Sequence, residues 1–191
     1  CNRHFVRLFE GRSLNVPVNS DTGYQLTAQH IGQYWNDNTI AAMLASPSNP
    51  TGTLVSKNEM RAIAEQVEQR AGRLLVDEIY QGLVYDTDEY TTLVLTDQAF
   101  VINSFSKYFG MTGWRLGWLV VPDGYVDAVD KLAQNIFLAA PTISQYAALA
   151  AFTAETQAIL QQRRDEFRMR RDYLLPALRH LGFNIPLTPQ G

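Results

Sequence analysis

With a single cysteine, Cys1, the 191-residue sequence has no means of forming an intramolecular disulfide or a metal site built on several thiolates. Its three histidines, His4, His30 and His180, stand far apart and lack the short ligand spacings of a zinc site. No apolar run approaches the roughly 20 residues needed to span a bilayer, and the first residues form no signal-peptide core. A cytoplasmic protein without a membrane partner is the expectation. Charge of one sign is scarce too: a formal net charge of −3 gives no general electrostatic reason to expect nucleic acid or an anionic surface. The one basic run, Gln161 through Arg171, is broken by Asp165 and Glu166 and reads as a solvated helix face. Low-complexity tracts and internal repeats are also missing.

What is present is the balance of a globular chain, 46% hydrophobic and 18% charged, long enough for one sizeable domain or one domain and part of another. Residues 1–35 are the least patterned, although Leu14–Val18 alternates like a short strand, with Pro17 placing it at an edge. Ile40–Ala45 is an apolar run opening into the turn-rich Ser46-Pro-Ser-Asn-Pro-Thr-Gly52, as a buried strand opens into a loop. Ser56 and Glu59 have the spacing of a capping box, and Met60, Ile63, Ala64, Val67 and Ala71 continue at helical intervals up to Gly72. Leu74–Val76 and Phe100–Ile102 are the next apolar strands, and Leu116–Val121 is another, stopped by Pro122. Strand, helix and strand in this order predict a right-handed crossover and a mostly parallel sheet. Val126, Val129, Ala133, Ile136 and Ala140 predict a helix, and a long charged helix follows from about 153 to 181, which Pro176 should kink or divide. The change in character near 151 predicts a domain of residues 1–150 and the start of a second over 151–191.

Three of the strands end in unusual polar sets: Asn49; Asp77 with Tyr80; and Ser104, Ser106 and Lys107. In doubly wound sheets ligands gather beyond the carboxyl ends of the strands, so the three sets should converge. A group that suits them together combines a cationic ring nitrogen, a phenolic oxygen, an aldehyde and a phosphate, the features of pyridoxal 5'-phosphate. A lysine amine forms a Schiff base with the aldehyde, and a carboxylate keeps the ring nitrogen protonated. Taken singly each residue has an ordinary reading: Lys107 a surface charge, Asp77 a helix cap, Tyr80 a core aromatic, Asn49-Pro50 a turn, Arg115 a surface ion-pair partner.

As an ordered set, Ser46–Gly52, Val76-Asp-Glu-Ile-Tyr80 and Ser104-Phe-Ser-Lys-Tyr-Phe-Gly-Met-Thr-Gly-Trp-Arg-Leu-Gly117 resemble three successive motifs of the class I/II aminotransferases, members of the fold-type I pyridoxal-phosphate enzymes. The similarity is strong from about residue 40 to 150. It implies a three-layer α/β/α large domain, partial here, with the start of a smaller α/β domain. It also implies Lys107 as the Schiff-base lysine, Asp77 as partner of the ring nitrogen, and Asn49 and Tyr80 as donors to the phenolic oxygen. Ser104 and Arg115, with Ser106 as a secondary contributor, would bind the phosphate. The bond between Asn49 and Pro50 is expected to be cis.

The implied reaction moves an amino group between an amino acid and a 2-oxo acid. The residues that cradle the rest of the phosphate, stack on the ring and grip the substrate carboxylate are not found in this sequence, and a partial chain is expected, weak in cofactor binding on its own. A homodimer is expected by analogy with the family. Two alternatives stay open: another enzyme of this scaffold, such as a carbon–sulfur lyase or an aminocyclopropane-carboxylate-synthase-like enzyme, and an aminotransferase-like effector domain of a transcription regulator.

Overall fold

The computed structural model describes residues 2–191; Cys1 lies outside the described residues. Four strands form one sheet in the order β1 (Ala41–Ala45), β2 (Arg73–Asp77), β3 (Ala99–Ser104), β4 (Gly117–Val120). The first three are parallel, and β4 returns antiparallel to β3. The link from Phe105 to Leu116 contains only a short 3-10 turn, Thr112–Trp114, with no crossing helix, so the chain doubles back instead of crossing over. Parallel register aligns the carboxyl ends of the strands: Ala45 is level with Asp77, and Asp77 with Ile102. That row is the rim on which the site is built.

The helices are α1 (Asn2–Leu8), α2 (Ala28–Tyr34), α3 (Lys57–Glu68), α4 (Val126–Ile136), α5 (Thr142–Ala150) and α6 (Ala154–His180). Helix α3 is capped by the Ser56 hydroxyl, which accepts the Glu59 N–H at 3.2 Å, a contact worth about 1 kcal/mol. The second half of the expected capping box is absent. Glu59 instead accepts the N–H of Ala28 at 2.7 Å and so caps α2, which packs on α3. Met60, Ile63 and Val67 of α3 are buried against Ala42, Leu44, Leu74, Val76, Ala99 and Val101 of the sheet, one apolar core. Only this face of β1 and β2 is closed, since their residues alternate between buried and more exposed instead of being buried on both sides. Across the sheet Tyr125, just before α4, packs edge-on against Phe100 of β3 at 5.0 Å.

Several expectations are corrected. Leu14–Val18 is irregular, with Leu14 55% exposed, because Pro17 supplies no ladder donor and no strand pairs beside it. Helix α4 ends at Ile136 and not near Ala140, where Leu138 turns left-handed at φ 67°. Helix α6 is not divided at Pro176: the proline φ suits a helix, and the loss of one N–H is local within 27 residues. Helices α1, α2 and α5 were not anticipated. No described helix is long and apolar enough to cross a membrane, and no group of described residues could hold a metal ion.

Candidate active site

The β1 strand leaves the sheet through Ser46, whose N–H reaches the Asp77 carbonyl at 3.1 Å and whose hydroxyl accepts the Val55 N–H at 3.0 Å. The loop between these anchors carries Asn49, and its Ser46-Pro47 and Asn49-Pro50 bonds are both cis. The loop is closed by bonds from Ser48 N–H to the Thr53 carbonyl and from Gly52 N–H to the Ser48 carbonyl. Held in this way, the Asn49 amide donates to the hydroxyl oxygen of Tyr80 at 2.9 Å. The first and second polar sets therefore meet.

Two adjacent acids end β2, and their surroundings separate their roles. Glu78 is buried and accepts the Thr92 N–H at 2.7 Å, fixing the chain on its way to β3. Asp77 accepts the Ile79 N–H at 3.1 Å and has no cationic partner among the described residues. Burial pushes its carboxyl above the ordinary carboxylate range, and the Ile79 N–H offsets part of that rise. A half-buried carboxylate of this kind is complementary to a cation brought by a ligand.

The third set is a closely stitched turn. Phe105 donates to the Leu116 carbonyl at 3.1 Å, Met111 to the Phe105 carbonyl at 3.0 Å, Gly110 to the Lys107 carbonyl at 3.0 Å, and the Thr112 hydroxyl to the Ser106 carbonyl at 2.6 Å. Phe105 and Phe109, on either side of Lys107, anchor it in a second apolar cluster with Met111, Leu116, Ala148 and Ala151. The Lys107 Nζ lies 5.5 Å from the ring centroid of Tyr80, so the third set joins the first two.

Ser104 donates its hydroxyl proton to the Leu116 carbonyl at 3.2 Å and accepts the Ser106 N–H at 3.0 Å. Its part in the turn is thus organisational before any ligand contact. The Ser106 hydroxyl makes no hydrogen bond among the described residues, and the residue as a whole is buried. Arg115 is exposed, left-handed at φ 51°, and spends one N–H on the Thr112 carbonyl at 2.9 Å, leaving the rest of its guanidinium available. Leu116 accepts bonds from Ser104 and Phe105, which brings Arg115 beside the turn. Gly117 is required there because a β-carbon would stand 2.7 Å from the Asn103 carbonyl oxygen.

The sequence profile of the family described as aminotransferase class I and II matches residues 3–191. The chain belongs to this family. The valine–pyruvate aminotransferase of Mycobacterium tuberculosis is 38% identical over 186 residues, covering 96% of this chain and 48% of that protein. A (5-formylfuran-3-yl)methyl phosphate transaminase of Methanocaldococcus jannaschii is 35% identical over 188 residues, 97% of this chain and 48% of that protein. The crystal structure of an aminotransferase from M. tuberculosis superposes with a TM-score of 0.92 at 37% identity, covering 99% of this chain and 52% of that one. The chain thus spans about half the length of the curated relatives it matches.

Two contacts that support this rim have no signal in the sequence. Buried Gln25 donates to the Ala45 carbonyl at 3.2 Å and the Thr53 carbonyl at 2.7 Å, clasping the base of the Asn49 loop. Thr112 locks the Lys107 turn in the same manner. Gln25 lies 20 and 28 residues from its partners, and Thr112 six from Ser106, so neither follows a short-range spacing rule that marks the role.

Proposed function

We propose that the complete protein containing this chain transfers an amino group from an amino acid to a 2-oxo acid, with pyridoxal 5'-phosphate as cofactor and Lys107 as its covalent anchor. The observation that carries this reading is the meeting of three loops at one sheet rim: Asn49 on the Tyr80 hydroxyl, and the Lys107 amine over the Tyr80 ring. When bound, the cofactor supplies an electron-accepting ring that stabilises negative charge on the substrate α-carbon.

The residues present fit that group. Asp77, without a cation of its own, pairs with the protonated ring nitrogen, and that pairing lowers its raised pKa. Asn49 and Tyr80 direct donors to the phenolic oxygen. Arg115 and Ser106, together with Ser104, hold the phosphate, Arg115 through charge-assisted bonds. Lys107 Nζ would be the base that takes the proton from the substrate α-carbon and holds it for return. Phe105 and Phe109 anchor the backbone on either side of Lys107, so the four-carbon stem is the part left free to move.

Residues 1–150 are assigned to the cofactor domain and 151–191 to the start of a smaller one. The beginning of α6 at Ala154 supports the break. A cytoplasmic homodimer is proposed from the family resemblance. Steady-state kinetics on the complete protein with a panel of amino acids and 2-oxo acids test the reaction. Ping-pong, oxo-acid-dependent amino transfer that disappears in Lys107→Ala is expected; release of pyruvate, ammonia and a thiol, or near-normal turnover in Lys107→Ala, overturns it.

A further inference from the structure

We propose that Tyr108, its ring seated on the bare backbone of Gly82, is a positioning residue that sets the Lys107 amine against the Tyr80 loop; this rests on the reading that Lys107 holds the cofactor. Two hydrogen-bonded turns meet here. One runs from Tyr80 to Leu83, closed by Leu83 N–H on the Tyr80 carbonyl at 3.1 Å; the other runs from Lys107 to Gly110, closed by Gly110 N–H on the Lys107 carbonyl at 3.0 Å. Tyr80 and Lys107 are the first residues of their turns, and the turns touch through the residues that follow them.

Gly82 has φ 89°, a value that marks the third position of a type II turn and that L side chains rarely adopt. Space excludes a side chain as well, since a β-carbon at Gly82 would overlap the Tyr108 ring, lying 2.8 Å from Cδ1. Its N–H is held by the Glu89 carboxylate, so the platform under the ring is itself fixed. Tyr108 also packs edge-on against Phe109, one of the anchors of the Lys107 turn, with centroids 5.1 Å apart. The ring therefore bridges the anchored side of the Lys107 turn and the backbone two residues beyond Tyr80. Removing the ring opens the contact between the two turns, and the amine is expected to lose its orientation over the Tyr80 ring. Orientation of this kind is where a small misplacement becomes a large loss in rate.

The test follows covalent capture in the complete, cofactor-free protein. Pyridoxal phosphate is added and the reaction is quenched with borohydride at timed intervals. The amine condenses with the aldehyde with loss of water, hydride reduces the C=N bond to a stable secondary amine, and the labelled Lys107 peptide is quantified. Exposed Lys57 and Lys131 in the same samples are internal references. Tyr108→Leu and Tyr108→Met, both apolar and of similar reach, are expected to slow capture at Lys107 about tenfold relative to those references. Tyr108→Phe is expected to stay within about twofold, because the ring keeps its seat on Gly82. Unaltered Lys107 capture in both Tyr108→Leu and Tyr108→Met, or a loss in Tyr108→Phe as large as theirs, overturns the positioning role. Failure to label Lys107 in the unsubstituted protein overturns the cofactor assignment itself, so the two failures are distinct.

Discussion

The side-chain amide of Asn49 donates to the hydroxyl oxygen of Tyr80 across 2.9 Å, which leaves the tyrosine proton free for another acceptor. The bond orients the hydroxyl without consuming its donor capacity. An anionic ligand oxygen placed between the two side chains would receive both donors.

Tyr80→Phe is therefore expected to weaken binding of pyridoxal phosphate about tenfold, the loss of roughly 1.5 kcal/mol for one hydrogen bond to a charged oxygen. It should also raise the pH midpoint of the bound cofactor's visible absorption. The donors draw negative charge from the phenolic oxygen, and with one removed the neighbouring nitrogen holds its proton more tightly. An absorbance titration gives both quantities, and a midpoint that falls would refute the assigned role.

Asp77 supplies a pH dependence of known sign. Its carboxyl is raised by burial, so the fold favours the protonated form. That contribution is complete below the ordinary carboxylate range and is lost as pH rises through the raised value in the folded protein. In the cofactor-free protein Asp77→Asn should consequently raise the melting temperature near about pH 7.5, with the difference shrinking toward about pH 3. The same substitution should weaken cofactor binding, since the ring nitrogen loses its counter-charge. Thermal melts across pH, with and without cofactor, check both arms; equal destabilisation at every pH contradicts them.

Arg115→Ala should reduce affinity for pyridoxal phosphate by about 10- to 100-fold, in keeping with a charge-assisted contact worth roughly 1.5–3 kcal/mol. Arg115→Lys should recover only part of it, because an ammonium cannot reproduce the fork of the guanidinium. Isothermal titration with pyridoxal phosphate and with the unphosphorylated aldehyde isolates the effect: the substitutions should matter for the first ligand and little for the second.

Gln25→Leu removes the donor shared by the Ala45 and Thr53 carbonyls. One buried and one partly buried acceptor lose a partner, at a cost of about 1–3 kcal/mol. Urea unfolding should show that loss, and cofactor affinity should fall with it because the Asn49 loop is no longer clasped at its base. Retained stability with unchanged affinity would mean that the loop is held by its other bonds alone.

How far these features are legible in the sequence depends on how local their causes are. Short apolar runs ending abruptly in Asn49, Asp77 and Ser104 mark both the parallel strands and the rim where they finish, because burial and the polar rim act on consecutive residues. Ser56 marks the start of α3 for the same reason, its partner Glu59 being only one turn away. Contacts across the chain leave no such trace. The pattern Ser56–Glu59 predicts a reciprocal cap, yet the Glu59 carboxylate is taken by Ala28, 31 positions earlier. Alternation at Leu14–Val18 resembles a strand, but a strand needs a neighbour and none lies beside it. The necessity of Gly82 is visible only once Tyr108 is seen to lie on it.

The most direct test of the central claim is borohydride reduction of the cofactor-loaded complete protein followed by peptide mapping at saturation. A single phosphopyridoxyl group on Lys107, absent from Lys107→Ala, is the predicted result. Label spread over surface lysines such as Lys57 and Lys131, with Lys107 unmodified, would contradict it.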